Sequence, residues 1–131
     1  MKGYKIYEEL RWGGESSETK HSVNYGKAIQ IFNDFIKKAT KENKEDLVNE
    51  EDFREEIVDL REHQRFNKKL YKDGSRDFEI ICRKYPVLIY KYNKTNKMVA
   101  NVYFWERTSY EYQEYDIESQ TFILEEIEII E

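Results

Sequence analysis

The chain has 131 residues, of which 22 are Lys or Arg and 27 are Asp or Glu, giving a formal net charge of −5. This length suits one hydrophobic core, and we predict a single domain over residues 1–131. No apolar run approaches the roughly 20 residues of a transmembrane helix, so no membrane association is expected. One cysteine and two histidines exclude an internal disulfide and a Cys/His zinc site. The segment that begins at Met1 lacks the apolar stretch of a secretory signal, so we expect a cytoplasmic protein.

The first two predicted elements are a strand and a helix. Residues Tyr4–Trp12 alternate as a strand does, and Gly13-Gly14 ends it. Ser22 is the predicted N-cap of the helix that follows. Apolar residues recur there every three or four positions, which predicts one buried stripe: Tyr25, Ala28, Ile29, Phe32, Phe35, Ile36 and Ala39.

A second helix is predicted from about Glu50 to His63. Asn49 can cap it, and acidic residues suit its first turn because they complement the helix dipole. The segment Gln64–Lys72 fits either a continuing helix or an irregular connection, and the turn sequence Asp73-Gly74 follows it. A narrow apolar stripe places this helix on the surface of the domain: Phe53, Ile57 and Leu60.

The second half of the chain changes to extended patterns. The segment that starts at Glu118 also fits a short helix. Two early helices followed by late strands predict an α+β fold, with an antiparallel sheet of about five strands packed against one long amphipathic helix and a second, acidic helix. The predicted strands are Asp77–Arg83, Val87–Tyr92, Met98–Glu106, Ser109–Asp116 and Thr121–Glu131.

Charge is segregated along the chain. Residues 42–60 hold nine acidic and two basic residues, and residues 61–97 hold eleven basic and four acidic residues. Residues 106–131 hold nine acidic residues and one basic residue. Because such blocks create strong local fields where folding keeps them together, they are the main indication of a binding partner.

The acidic C-terminal block carries tyrosines between its carboxylates, and we predict that it binds a basic protein, for example one that handles nucleic acid. Tyrosine supplies contact area at low entropic cost, and clustered carboxylates steer toward basic surfaces. An ordinary solvated sheet face is the alternative. We expect no catalytic residue, metal or cofactor. Whether the protein forms an oligomer is left open. The predicted contact residues are Tyr110, Glu111, Tyr112, Glu114, Tyr115 and Asp116, with Glu51, Glu55 and Asp59 on the acidic helix.

Two other functions stay open. Asp77 and Glu79 lie two residues apart, so on a strand they would share a face, as the carboxylates of a metal-dependent nuclease do. The basic block Arg61–Lys97 is a candidate for nucleic-acid binding through phosphate contacts, with Tyr90 and Tyr92 stacking on bases. The acidic blocks on either side would repel a phosphate backbone, so direct binding to nucleic acid is the less favoured hypothesis.

No motif identifies a family. In general type, the composition resembles the small, acidic, single-domain proteins rich in Tyr, Ile, Lys and Glu that phages and mobile elements use as stoichiometric inhibitors, anti-CRISPR and toxin-immunity proteins included. This likeness of composition implies an anti-defence inhibitor without enzymatic activity, and it gives no residue a role.

Overall fold

A computed structural model describes residues 1–109, 111 and 114–130. The described strands form one antiparallel sheet in the order β2-β1-β6-β5-β4-β3. Two helices and a single antiparallel sheet confirm the predicted α+β class, and the sheet has six strands where about five were predicted. The elements are β1 (Lys2–Glu9), β2 (Lys20–Ser22), α1 (Tyr25–Glu42), α2 (Glu50–Leu70), β3 (Phe78–Lys84), β4 (Val87–Tyr92), β5 (Lys97–Ser109) and β6 (Glu114–Glu128).

The two helices cover opposite faces of the sheet. Side chains alternate along each strand, so successive residues point to opposite faces. Helix α1 packs on one face, where Phe32 joins a buried cluster with Ile6 and Phe122. Helix α2 packs on the other, where Phe53 joins a cluster with Tyr103. The domain therefore has three layers, and we name the two sides of the sheet the α1 face and the α2 face.

Helix α1 buries or half-buries the predicted apolar stripe except at its first residue, Tyr25, which is 50% exposed. The helix also begins later than its predicted cap. The cap is Asn24, whose Oδ1 accepts a hydrogen bond from the Lys27 backbone N–H at 2.9 Å. Ser22 was the wrong prediction: its hydroxyl accepts from the backbone N–H of Asn24 at 3.1 Å and so holds the turn before the helix. The buried residues of the helix are Ala28, Phe32, Ile36 and Ala39.

Helix α2 begins at its predicted cap and continues past its predicted end. Asn49 Oδ1 accepts from the backbone N–H of Asp52 at 2.8 Å. The segment that the sequence left ambiguous is helical as far as Leu70. Gln64 anchors this extension, because its Nε2 donates to the Phe78 carbonyl of β3 at 2.9 Å.

The largest difference from the predicted strands lies at the β5–β6 hairpin. The predicted strand Ser109–Asp116 is wrong, because Ser109 ends β5, Glu111 lies in a turn and Glu114 begins β6. Beyond the turn β6 is one continuous strand, without a helix at Glu118. Polar residues suggested a break there, but each of them pairs in register with β5 and continues the ladder.

The connection between the helices carries the chain from one face of the sheet to the other. Strand β4 pairs with β5 only as far as Val102. Beyond that point the linker takes the place of β4: the Val48 N–H donates to the Tyr103 carbonyl at 3.4 Å, and the Trp105 N–H donates to the Asp46 carbonyl at 2.7 Å. These bonds fix where α2 begins relative to the hairpin.

Candidate binding surfaces

Strands β5 and β6 extend beyond the rest of the sheet as a two-stranded ribbon. Strand β1 pairs with β6 only from Thr121 onward, and the helix linker supports β5 only to Trp105. Further out, β5 and β6 pair with each other, as Glu106 does with Asp116. We call the described part of this extension, residues 106–109, 111 and 114–118, the distal ribbon. Its position makes its side chains accessible to a partner.

Acidic side chains dominate the described part of the distal ribbon, and Arg11 neutralises those at its base. Arg11 Nη1 lies 2.5 Å from Glu106 Oε2, and Arg11 Nε lies 3.9 Å from Glu118 Oε2. The hydrogen bond from Arg11 holds the pKa of Glu106 below its ordinary value. Nearer the tip, three exposed carboxylates have no ion pair with any cation of the described chain: Glu111, Glu114 and Asp116. The tip of the ribbon is therefore a source of negative potential.

Exposed aromatic side chains accompany these carboxylates. Tyr115 on β6 is 53% exposed. Trp12 is 84% exposed, and it follows Arg11, which is bound to the base of the ribbon. Tyrosine and tryptophan are enriched among the residues that dominate binding energy at protein interfaces. The other two predicted aromatic contacts, Tyr110 and Tyr112, lie outside the described residues.

Trp12 was not among the predicted contact residues, although the sequence carried a signal for it. We assigned it to the end of the first strand, but β1 ends at Glu9. The glycines that follow it have φ angles of 86° and 89°, in the left-handed region that glycine readily adopts in tight turns. A tryptophan beside such a Gly-Gly turn lacks strand neighbours to cover it, and so it is a candidate for a partner contact.

The acidic residues predicted on α2 lie on a separate element from the ribbon. All three are exposed, and no ion pair or hydrogen bond links them to the described part of the distal ribbon: Glu51, Glu55 and Asp59. Crowding among carboxylates is nevertheless evident on this helix. Burial, together with the charges of Asp59, Asp52 and Glu55, raises the pKa of Glu56. The helix thus adds a second negative region to the molecule.

The carboxylate pair suggested for a metal-dependent enzyme does not form a metal centre. Asp77 precedes β3 and lies 3.8 Å from the ammonium of Lys68, while Glu79 is exposed on the strand opposite Lys91. Across the described residues, no group of three or more His, Cys, Asp or Glu side chains is placed to hold a metal ion. The enzyme hypothesis gains no support from this arrangement.

The tyrosines suggested for base stacking share a face but are not equally accessible. Tyr90 is only 8% exposed, because its ring packs against Phe78 at 5.0 Å and Tyr92 at 5.8 Å between centroids. Burial raises the pKa of its hydroxyl well above the ordinary value. Tyr90 is therefore a core residue, and stacking by both rings is not possible in this arrangement.

The α2 face also contains a polar network that no sequence pattern predicted. Asn101 is 7% exposed; its Oδ1 accepts from Thr121 Oγ1 at 2.9 Å, and its Nδ2 donates to Tyr103 Oη at 3.3 Å. Burial raises the pKa of Tyr103 to about 12. The sequence feature that could have indicated this network is an asparagine within the apolar run of β5. A groove of about 530 Å³ opens beside this network and is lined by residues that include Glu9, Arg76, Tyr92, Lys97 and Ser119.

The fold alone defines the class of this protein, because comparisons with known proteins add no family. A comparison of the chain with protein-family models, curated proteins and solved structures finds no match. Within the described part of the chain, no helix is both long and apolar enough to cross a membrane. The protein is thus a three-layer α+β domain in which an acidic hairpin extends beyond the sheet.

Proposed function

We propose that the protein is a non-enzymatic binding protein that docks its distal ribbon on a basic surface of a protein partner. The observation that carries this proposal is a set of exposed carboxylates at the end of a ribbon that extends beyond the sheet. None of them has an ion pair with a cation of the described chain: Glu111, Glu114 and Asp116. Carboxylates in this position steer the encounter with a basic partner, and the exposed rings of Tyr115 and Trp12 add contact area.

The proposed partner is a protein that binds nucleic acid through its own basic surface. A surface selected to bind phosphates is also complementary to clustered carboxylates, since both present dense negative charge. An acidic ribbon seated there would exclude the nucleic acid and inhibit the partner. This mode of action is that of a stoichiometric inhibitor, as in phage-type anti-defence proteins. The negative region on α2 would add long-range attraction.

The test is affinity capture from the native host with two baits, followed by mass spectrometry and binding measurements on the captured protein. One bait is the natural chain and the other carries Glu111→Lys, Glu114→Lys and Asp116→Lys. We expect a basic protein in the first sample and its depletion in the second. With the purified partner, these reversals should weaken affinity at least about tenfold and flatten its dependence on salt.

A matched variant separates the ribbon from the total charge. Glu51→Lys, Glu55→Lys and Asp59→Lys change the net charge equally, but they lie on α2. This variant should lower the association rate with a smaller effect on the dissociation rate, because charges remote from the contact act mainly on encounter. Equal losses for the two variants would assign binding to overall charge, and unchanged affinity in the ribbon variant would refute the proposal. Trp12→Ala should also weaken binding.

A further inference from the structure

A groove separates α1 from strands β3 and β4 on the α1 face. Helix α1 contacts β1, β2, β5 and β6, and it leaves the far side of the sheet only partly covered. Val87 and Ile89 of β4 are therefore half-buried, and together with Ile36 and Pro86 they form an apolar floor. The cavity has a volume of about 740 Å³.

Lysines surround this apolar floor. Lys37 and Lys41 are four residues apart on α1 and so share one helix face, and Lys84 comes from β3 on the opposite wall. Lys44 lies beyond the end of the helix. All four are exposed, and none has an ion pair with a carboxylate of the described chain. By contrast, Lys38 lies outside this site and pairs with Glu18 at 3.5 Å. We call this site the lysine groove.

The composition of the lysine groove defines the chemistry of its ligand. The described residues that line it include no Asp or Glu, so the ammonium groups repel one another and an anion would relieve that repulsion. The aliphatic floor favours a ligand that also buries apolar groups. We propose that the lysine groove binds an acidic, amphipathic peptide segment of a partner protein.

The dimensions of the groove set the size of this segment. Its α1 wall runs from Asn33 to Lys41, which is about 12 Å at the rise of an α-helix. An amphipathic helix of about two turns fits this length. Its apolar stripe would lie on Val87 and Ile89, and carboxylates on either side of the stripe would meet the lysines.

A nucleic acid is the less suitable occupant of the same site. Proteins hold single strands by stacking bases on aromatic side chains. Tyr85 is the one aromatic residue among the described residues that line the groove, and its ring already packs against Phe53 with centroids 5.6 Å apart. The aliphatic floor thus provides no stacking platform, while it does provide a surface for Leu or Ile side chains.

The experiment selects peptides of about 15 residues from a random phage-displayed library on the immobilised full chain. We expect enriched sequences with apolar residues at helical spacing and carboxylates on either side. The enriched peptide, labelled with fluorescein, is then titrated and followed by anisotropy. Lys37→Gln, Lys41→Gln and Lys84→Gln together should weaken its binding about tenfold, since each removes one charge contact.

Two control variants make the result specific to the groove. Lys27→Gln, Lys69→Gln and Lys72→Gln remove three exposed lysines outside it and should leave peptide affinity unchanged. The charge reversals at Glu111, Glu114 and Asp116 should also leave it unchanged, so this proposal and the proposed function can fail independently. Thermal unfolding followed by circular dichroism checks that every variant is folded.

Several outcomes would overturn the proposal. Selection that enriches no acidic amphipathic sequence would do so, as would equal losses in the groove variant and the lysine control. Binding of a labelled oligothymidylate that the groove variant loses would assign the site to nucleic acid. Concentration-dependent self-association that the groove variant loses would assign it to a second copy of the chain, with an acidic surface of one copy in the groove of the next.

Discussion

The two faces of the sheet differ in the polarity of the side chains that cover them. On the α1 face, a helix with a broad apolar stripe covers a cluster that includes Phe32 at 1% and Ile6 at 0% exposure. On the α2 face, the helix has a narrower stripe, and the sheet beside it carries the Asn101 network and an open polar groove. Both faces bury an apolar cluster, and Asn101, the one buried polar residue among those described, lies on the α2 face.

This difference indicates why α2 can carry charged groups on its exposed surface. A helix with a broad apolar stripe can stabilise one face of the sheet with few polar groups, so the other face tolerates a narrower apolar stripe and charged side chains. Helix α2 carries two buried apolar residues, Phe53 and Ile57, over 21 residues. Its exposed surface is consequently free to carry the acidic and basic groups that a partner would meet.

The largest expected effect comes from replacing one buried phenylalanine on each face with alanine. Phe32→Ala should lower the free energy of unfolding by about 4 kcal/mol, because Phe32 lies inside a closed cluster that cannot collapse into the space left behind. Phe53→Ala should cost about 3 kcal/mol. Phe53 contacts Tyr85 and Tyr103 with ring centroids 5.6 and 6.0 Å apart. It also lines a separate open groove together with Arg61 and Arg83, so solvent can fill part of the space that the substitution leaves.

Urea unfolding of both variants measures this comparison. Equal losses, or a larger loss for Phe53→Ala, would show that the two faces contribute alike and would remove the distinction between them. Phe66→Ala is the control for side-chain deletion without burial, since Phe66 on α2 is 58% exposed. It should change stability by no more than about 0.5 kcal/mol.

A smaller effect is expected in the polar network of the α2 face. Asn101→Ala removes the acceptor for Thr121 and the donor to Tyr103. The buried Tyr103 hydroxyl loses this partner, whereas Thr121 Oγ1 keeps its hydrogen bond with Ser119 Oγ at 3.3 Å. The expected loss is about 2 kcal/mol in the free energy of unfolding. Thr121→Val is the narrower change, which removes one of the two bonds and should cost about half as much. A neutral Asn101→Ala would show that water from the groove replaces the amide.

Local patterns predicted those elements of the fold that bury a regular stripe. The bounds of β4 were predicted correctly because its β-branched and aromatic residues contrast with the turns on either side. Strand β2 was missed, since its three residues form a strand only through pairing with β1, as Ser22 does with Tyr4. The β5–β6 turn was misplaced because a strand was predicted to end at Asp116 and the next to begin at Thr121. Ser119, which lies between them, instead continues β6 and hydrogen-bonds Thr121 of the Asn101 network.

The candidate site was predictable in part, for a similar reason. Segregated charge along the chain indicated the carboxylates of the distal ribbon, since neighbours in a hairpin are also neighbours in sequence. The contribution of Arg11 and Trp12 depends on a loop that meets the ribbon from the opposite end of the chain. The lysine groove likewise joins α1 to β3, and no local pattern places Lys41 near Lys84.

The smallest predicted effect is a pH-dependent one on α2. Burial and neighbouring carboxylates raise the pKa of Glu56, so its ionised form is disfavoured in the folded state. Glu56→Gln should therefore stabilise the domain at pH 7 by about 0.5 kcal/mol, given that solvent screens a partly exposed group. The gain should shrink as the pH falls through the folded pKa and vanish below about 4, the range in which the unfolded chain also binds the proton. Urea midpoints at several pH values measure it. The control is Glu51→Gln, at an exposed α2 carboxylate outside the group that raises the pKa of Glu56. A gain that persists in acid would assign the effect to helix propensity instead of charge.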